Sequence, residues 1–124
     1  DILARIVSTA VQGCPPELMG LGPIEATKKA LKRADLSIKD IDVIELNEAF
    51  ASQSLACIES LNIDPAKVNI DGGAIALGHP LGATGARITA KAAQILKREN
   101  KKYALATQCI GLGQGIATIL EKYE

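Results

Sequence analysis

The chain has 124 residues, 48% of them hydrophobic, with 14 basic residues balanced by 14 acidic ones and aromatics at only 2%. That length suits one domain with its own core, residues 1–124, and is too short for two. A neutral balance gives no electrostatic reason to bind nucleic acid or an anionic membrane surface, and the absence of Trp removes stacking platforms. No apolar run reaches a membrane-spanning length, and no signal peptide is visible.

The elements follow in chain order. Residues 2–11 are rich in β-branched side chains and predict a strand, stopped by Gly13-Cys14-Pro15-Pro16. Gly22-Pro23-Ile24-Glu25 opens a helix, with proline in the first turn and Lys32-Arg33 in the last. A short strand over 41–46 precedes Asn47, and a helix is expected from about Glu48 to Ser60. Residues 68–77 predict a strand interrupted by Gly72-Gly73, and Pro80-Leu81 opens a third helix running to about Arg98. Residues 103–109 and 115–120 are two final strands joined so tightly that they must form an antiparallel hairpin. The order β-α-β-α-β-α-β-β predicts an α/β domain: a mixed five-stranded sheet, mostly parallel with a reversed last strand, and helices packed on it.

Three loops that follow strands carry unusual residue choices: Asn47-Glu48-Ala49-Phe50, Gly78-His79-Pro80 and Cys109-Ile110-Gly111. Sites in parallel-rich sheets gather outside the carboxyl ends of strands. His79, the one histidine, is held between glycine and proline, which suits a positioned imidazole. Cys109 ends a strand before glycines, where a thiol and backbone N–H groups can face one ligand. Each residue alone also admits a structural role: a loop histidine, a small buried thiol, an Asn N-cap. Cys57 sits on an apolar helix face and belongs to the core, while Cys14 has no visible partner. Three cysteines and one histidine form neither a metal set nor an even disulfide framework, and reduced thiols point to a cytoplasmic location. The glycines miss both nucleotide fingerprints: Gly78-x-x-x-Gly82-x-x-Gly85 has the wrong spacing, and Gly111-x-Gly113-x-Gly115 leads into a strand rather than a helix.

Taken together and in order, these segments resemble the C-terminal signatures of the thiolase family. Asn47-Glu48-Ala49-Phe50-Ala51 is similar to its Asn-Glu-Ala-Phe-Ala motif, and Gly72 to Arg87 to its Gly-His-Pro block. Met19-Gly20-Leu21-Gly22-Pro23 resembles its Met-Gly-x-Gly-Pro segment. Residues 109–115 resemble its Cys-x-Gly-Gly-Gly block, with Leu112 in place of the usual glycine. The resemblance implies a parent enzyme built from two similar halves, whose acylated cysteine lies in an N-terminal half with no counterpart here.

It also implies roles. His79 would activate that cysteine and help bind the thioester oxygen, and Asn47 would hold a water completing the oxyanion hole. Cys109 would move the proton at the α-carbon, and the Gly111 N–H would serve a second oxyanion hole. Met19 and Phe50 would line the acyl pocket. A lowered thiol pKa would let Cys109 act as a base. The implied reaction is acyl transfer by Claisen condensation, two acetyl-CoA giving acetoacetyl-CoA plus CoA, or its thiolytic reverse. Coenzyme A thioesters would be substrates, with no resident cofactor and no metal. The alternatives are a longer-chain 3-ketoacyl-CoA thiolase and a self-contained Cys109–His79 hydrolase. The partners implied are the missing half and acyl-CoA, in a homodimer or homotetramer, and the chain alone is expected to be inactive.

Overall fold

The computed structural model describes residues 2–123; Asp1 and Glu124 lie outside the described residues. Strands β1 (Ala4–Gly13), β2 (Val43–Leu46), β3 (Tyr103–Ile110) and β4 (Gln114–Lys122) form one sheet in the order β1-β4-β3-β2. β2 pairs parallel to β3, while β4 is antiparallel to both β1 and β3. The first three strands therefore share one direction and the last is reversed between them, as the chain order predicts. Helices α1 (Gly22–Ala34) and α2 (Ala51–Ser60) lie on one face, and α4 (Thr84–Arg98) covers the other; α3 (Ala74–Leu77) is a single turn.

Alternation along the strands explains the layering. Leu105 and Ile44 face α1 and α2, while Ala104, Ala106 and Val43 face α4. On α4, Ile88, Ala92, Ile95 and Leu96 form one buried stripe. Each large aliphatic side chain of that stripe stabilises the fold by about 2 kcal/mol through burial.

The sheet has four strands, not five. Val68 makes a single parallel bridge to Ile44, and Asn69 N–H then donates to the Ile44 carbonyl at 2.8 Å. There the backbone turns into a left-handed conformation, with φ of 49° at Asn69, and the side chain replaces the strand. Asn69 Oδ1 accepts from Leu46 N–H at 3.0 Å, and its Nδ2 donates to the Leu46 carbonyl at 2.8 Å. An amide carries the same donor and acceptor as a peptide, so one residue closes the β2 edge and frees residues 70–77 for other work. The opposite edge is closed too: Lys29 Nζ donates to the Val11 carbonyl at 3.1 Å, and Arg33 caps that of Thr9. Occupied carbonyls make β1 a poor template for another strand.

Candidate active site

Because β1, β2 and β3 run the same way, their carboxyl ends meet at one rim, and there the three motif loops gather. Asn47 follows the last residue of β2, and its N–H donates to the Thr107 carbonyl at 3.0 Å, extending the β2–β3 pairing by one step. The helix expected from Glu48 starts at Ala51 instead. Phe50, in extended backbone, is its N-cap, and Gln53 Oε1 accepts from Phe50 N–H at 3.3 Å. Asn47 is therefore not a capping residue, and its buried side chain is free to face the site.

His79 arrives through a different construction. Glu48 Oε2 accepts from Ile75 N–H at 3.0 Å, and Oε1 accepts from Asn69 Nδ2 at 3.2 Å, which pins the start of α3. Gly73 makes room for that carboxylate: a Cβ there would lie 2.6 Å from Glu48 Oε1. Gly78, at φ of 90°, then takes a backbone turn that only glycine makes at low cost. The third helix begins at Thr84 rather than at Pro80, because 80–83 form a turn in which the Ala83 and Thr84 N–H groups both donate to the Pro80 carbonyl.

That turn fixes the imidazole. The Thr84 hydroxyl bridges the Pro80 carbonyl at 3.0 Å and His79 Nδ1 at 2.7 Å; with its proton given to Pro80, it accepts from Nδ1. In that arrangement His79 carries its proton on Nδ1 and turns the Nε2 lone pair to Asn47 Nδ2, 3.4 Å away. Thr84 is fully buried, so the Nδ1 end of the relay is shielded from water.

A cavity of about 440 Å³ opens beside this relay, lined by Met19, Phe50, His79, Leu81, Cys109 and Gly111, with Ala49, Gln108 and Ile110 completing the wall. Five of the six residues singled out from sequence line it, and Asn47 joins through its bond to His79. Gln108 and Leu81 were not anticipated. The strand alternation that turns Gln108 toward α4 does not reveal that it also borders the cavity, and Leu81 reads as an ordinary helix residue until the turn at 80–83 exposes it. A larger hollow of about 500 Å³ at the opposite end of the sheet is lined by Arg5, Lys101, Lys102, Lys122 and neighbours, with no thiol or imidazole.

Burial pushes the Cys109 thiol above the ordinary cysteine range, opposed by a backbone hydrogen bond and reinforced by the nearby Cys14. The lowered pKa expected from sequence is thus not a property of this chain: desolvation wins, and Cys109 rests as a thiol. Cys57 is buried, donates weakly to the Gly20 carbonyl at 3.4 Å and belongs to the core, as expected. Cys14 points at the carbonyls of Leu18 and Met19 and is half-buried. Among the described residues no cluster of His, Cys, Asp and Glu could hold a metal ion. Leu112 is 90% exposed at φ of 69°, next to Gly113 at 89°. A leucine in that left-handed region costs on the order of 1 kcal/mol, and Leu112 is not among the residues that line the cavity.

One charged group lies deeper. Glu45, on β2, is 1% exposed, and burial raises its carboxyl to about 7 against the opposing pull of Arg87 and Lys91, with Asp71 and Glu48 adding slightly to the rise. Unfolded, the same carboxyl ionises near 4.5. Between those values the unfolded chain releases a proton that the folded chain keeps, so stability is full below 4.5 and falls until about 7. The loss from this group is about 3 kcal/mol. Denaturant midpoints measured across that pH window are expected to show the decline in the native chain and to lose most of it in E45Q.

Fold and cavity define the class: an α/β domain that gathers a thiol, an imidazole and an amide at the carboxyl ends of neighbouring strands. Residues 1–122 match the family description "Thiolase, C-terminal domain". The chain belongs to the thiolase family, as its C-terminal domain. It is 59% identical to a 3-ketoacyl-CoA thiolase of Vibrio vulnificus (strain YJ016) over 124 residues, 98% of this chain and 32% of that protein. It is 57% identical to the mitochondrial 3-ketoacyl-CoA thiolase of Bos taurus over 119 residues, 96% of this chain and 30% of that protein. The crystal structure of human mitochondrial 3-ketoacyl-CoA thiolase in complex with CoA superposes with a TM-score of 0.98 at 54% identity, covering all of this chain and 32% of the other. The chain thus spans about a third of the length of these relatives.

Proposed function

We propose that the whole protein is a 3-ketoacyl-CoA thiolase, and that this domain supplies the proton-transfer and oxyanion groups for a nucleophilic cysteine in its N-terminal half. The relay Asn47–His79–Thr84 beside the Cys109 thiol carries this reading, together with the names of relatives at 57–59% identity. The Nε2 lone pair of His79 takes the proton of the incoming thiol. That thiolate attacks the 3-keto carbon, and the tetrahedral oxyanion is held by His79 and by a water on Asn47. The bond between the α- and β-carbons breaks, and the carbanion of the departing acetyl-CoA receives its proton from Cys109. A protonated resting thiol suits that step. Free CoA then takes the acyl group from the cysteine, its own proton passing to the protein. In the condensing direction the same groups run in reverse, with the Cys109 thiolate removing the α-proton and the Gly111 N–H facing the enolate oxygen.

Met19 and Phe50, which line the cavity, would face the acyl chain. Phe50, Ile75, Leu77 and Leu81 are each more than half exposed, and these apolar side chains are where the N-terminal half would seat. Coenzyme A thioesters are the substrates, with no resident cofactor, and the parent is a cytoplasmic homodimer or homotetramer. No helix among the described residues is long and apolar enough to cross a membrane.

The test is CoA-dependent cleavage by the full-length protein of acetoacetyl-CoA and of a long-chain 3-ketoacyl-CoA. Turnover of both is expected. Turnover confined to acetoacetyl-CoA would instead favour an acetyl-CoA C-acetyltransferase, and consumption of neither would overturn the proposal.

A further inference from the structure

The loop that carries His79 is anchored at its two ends rather than at the residue itself. No backbone hydrogen bond among the described residues involves His79. Its place therefore depends on the turn at 80–83, which follows it, and on α3, which precedes it. On the α3 side the path is short: Gly78 N–H donates to the Ala74 carbonyl at 2.8 Å, and Gly78 leads directly to His79. On the other side Thr84 ties the ring to the start of α4. Neither bond reaches the end of β2, where Asn47 stands.

The half-buried carboxylate of Glu48, next to Asn47 in the chain, makes that connection. Its Oε2 accepts from Ile75 N–H in α3 at 3.0 Å, and its Oε1 from Asn69 Nδ2 at 3.2 Å. The same Asn69 amide is bonded to the N–H and the carbonyl of Leu46, at 3.0 and 2.8 Å. Each link from the end of β2 to the start of α3 is thus a direct hydrogen bond. Both groups that reach Glu48 are N–H donors, so both of its oxygens must accept. A carboxylate does this, whereas an amide cannot, because one of its two ends carries protons. The fit is close as well: a Cβ at Gly73 would collide with Cδ and with both oxygens.

We propose that Glu48 is a positioning residue: it holds the loop bearing His79 against the strand end bearing Asn47, so that imidazole and amide serve as one oxyanion pair. The proposal rests on the thiolase reading of that pair. His79 Nε2 and Asn47 Nδ2, 3.4 Å apart, already stand at the long end of hydrogen-bond range, so a small drift of the loop separates them. A displacement of about 1 Å at a reacting group can cost as much as 10²-fold in rate. Glu48 itself is not among the residues that line the cavity, so its loss leaves the lining side chains unchanged.

A double-mutant cycle in the full-length enzyme tests it, with E48Q, H79A and the pair compared by kcat and KM for thiolysis of acetoacetyl-CoA. Each is assayed at a temperature where circular dichroism shows it folded. E48Q sets an NH2 group against one of the two donors, and is expected to lower kcat about tenfold while KM changes less than about twofold. With His79 already alanine, the same substitution should cost less than about twofold. An unchanged kcat in E48Q, a loss confined to KM, or an equal loss in both backgrounds would overturn the proposal. The last is what a purely structural role predicts. G73A is the second route: it keeps the carboxylate but crowds it out of its place, and should lower kcat with the same dependence on His79. It carries the test should E48Q fail to fold. If H79A alone costs less than about tenfold, the reading of the site fails and the proposal falls with it, a result distinct from equal losses in two impaired backgrounds.

Discussion

Replacing His79 with alanine in the full-length protein is expected to lower kcat/KM for thiolysis by at least about 10³-fold, because two functions disappear together. General acid–base transfer contributes roughly 10² to 10⁴, and a single oxyanion donor roughly 10² to 10³. The two are not additive when one group serves both, so the expected loss stays near the larger value. Folding should be spared. His79 is only half-buried on a loop, and the Thr84 hydroxyl keeps its bond to the Pro80 carbonyl without it. The measurement is steady-state kinetics beside a thermal melt. A loss below about tenfold with an unchanged melting temperature would remove His79 from the chemistry, because neither function is so small.

Thr84→Val separates the imidazole from its tautomer. The hydroxyl bridges His79 Nδ1 and the Pro80 carbonyl, so its removal leaves the ring present and its proton unassigned. The sequence could not have shown this, since threonine early in a helix has many uses. The pieces that were legible were those with strong local chemistry. Gly22-Pro23 opens α1 where it was expected, the tight connection over 110–114 is a hairpin, and the alternation of 103–109 is a buried strand. The motif loops also met as expected, although only Asn47 and Cys109 are delivered by strand ends; His79 follows α3 and the turn at Gly78 instead of the strand expected over 68–77.

What was hidden depended on a residue acting outside its usual part. Asn69 closes the sheet edge with a side chain, so a β-rich stretch over 68–77 became a bridge, a turn and one turn of helix. Phe50 caps α2, although phenylalanine has no capping oxygen, because Gln53 reaches back to its N–H. The raised Cys109 thiol was hidden for a related reason: a neighbouring histidine suggests a thiolate, whereas burial, a property of the whole fold, decides otherwise.

Gly115→Ala is expected to be the most damaging single methyl in the domain. A Cβ at Gly115 would lie 2.5 Å from the nitrogen of Pro23, and one at Gly22 would lie 2.6 Å from the nitrogen of Gly115. The obstacles are backbone atoms on both sides, and Pro23 cannot rotate away. The methyl must therefore lift the start of α1 off β4, and with it the buried contacts of Ile24, Ala26, Ala30 and Leu31. An overpacking cost of this kind belongs with the largest single-site losses, on the order of 4 kcal/mol, a sizeable share of the stability of a domain this size. Gly82→Ala is the control, since a Cβ there meets nothing within 4 Å and the backbone is not left-handed. Denaturant midpoints should separate the two variants widely, and similar midpoints would show that α1 can shift at little cost. The same substitution reaches the site: Gly115 is the register partner of Cys109, and the turn bearing Met19 leads directly into α1. The close approach of helix to strand that glycine permits is thus also what sets the thiol and the acyl wall side by side, so G115A should lose activity at temperatures where it is still folded.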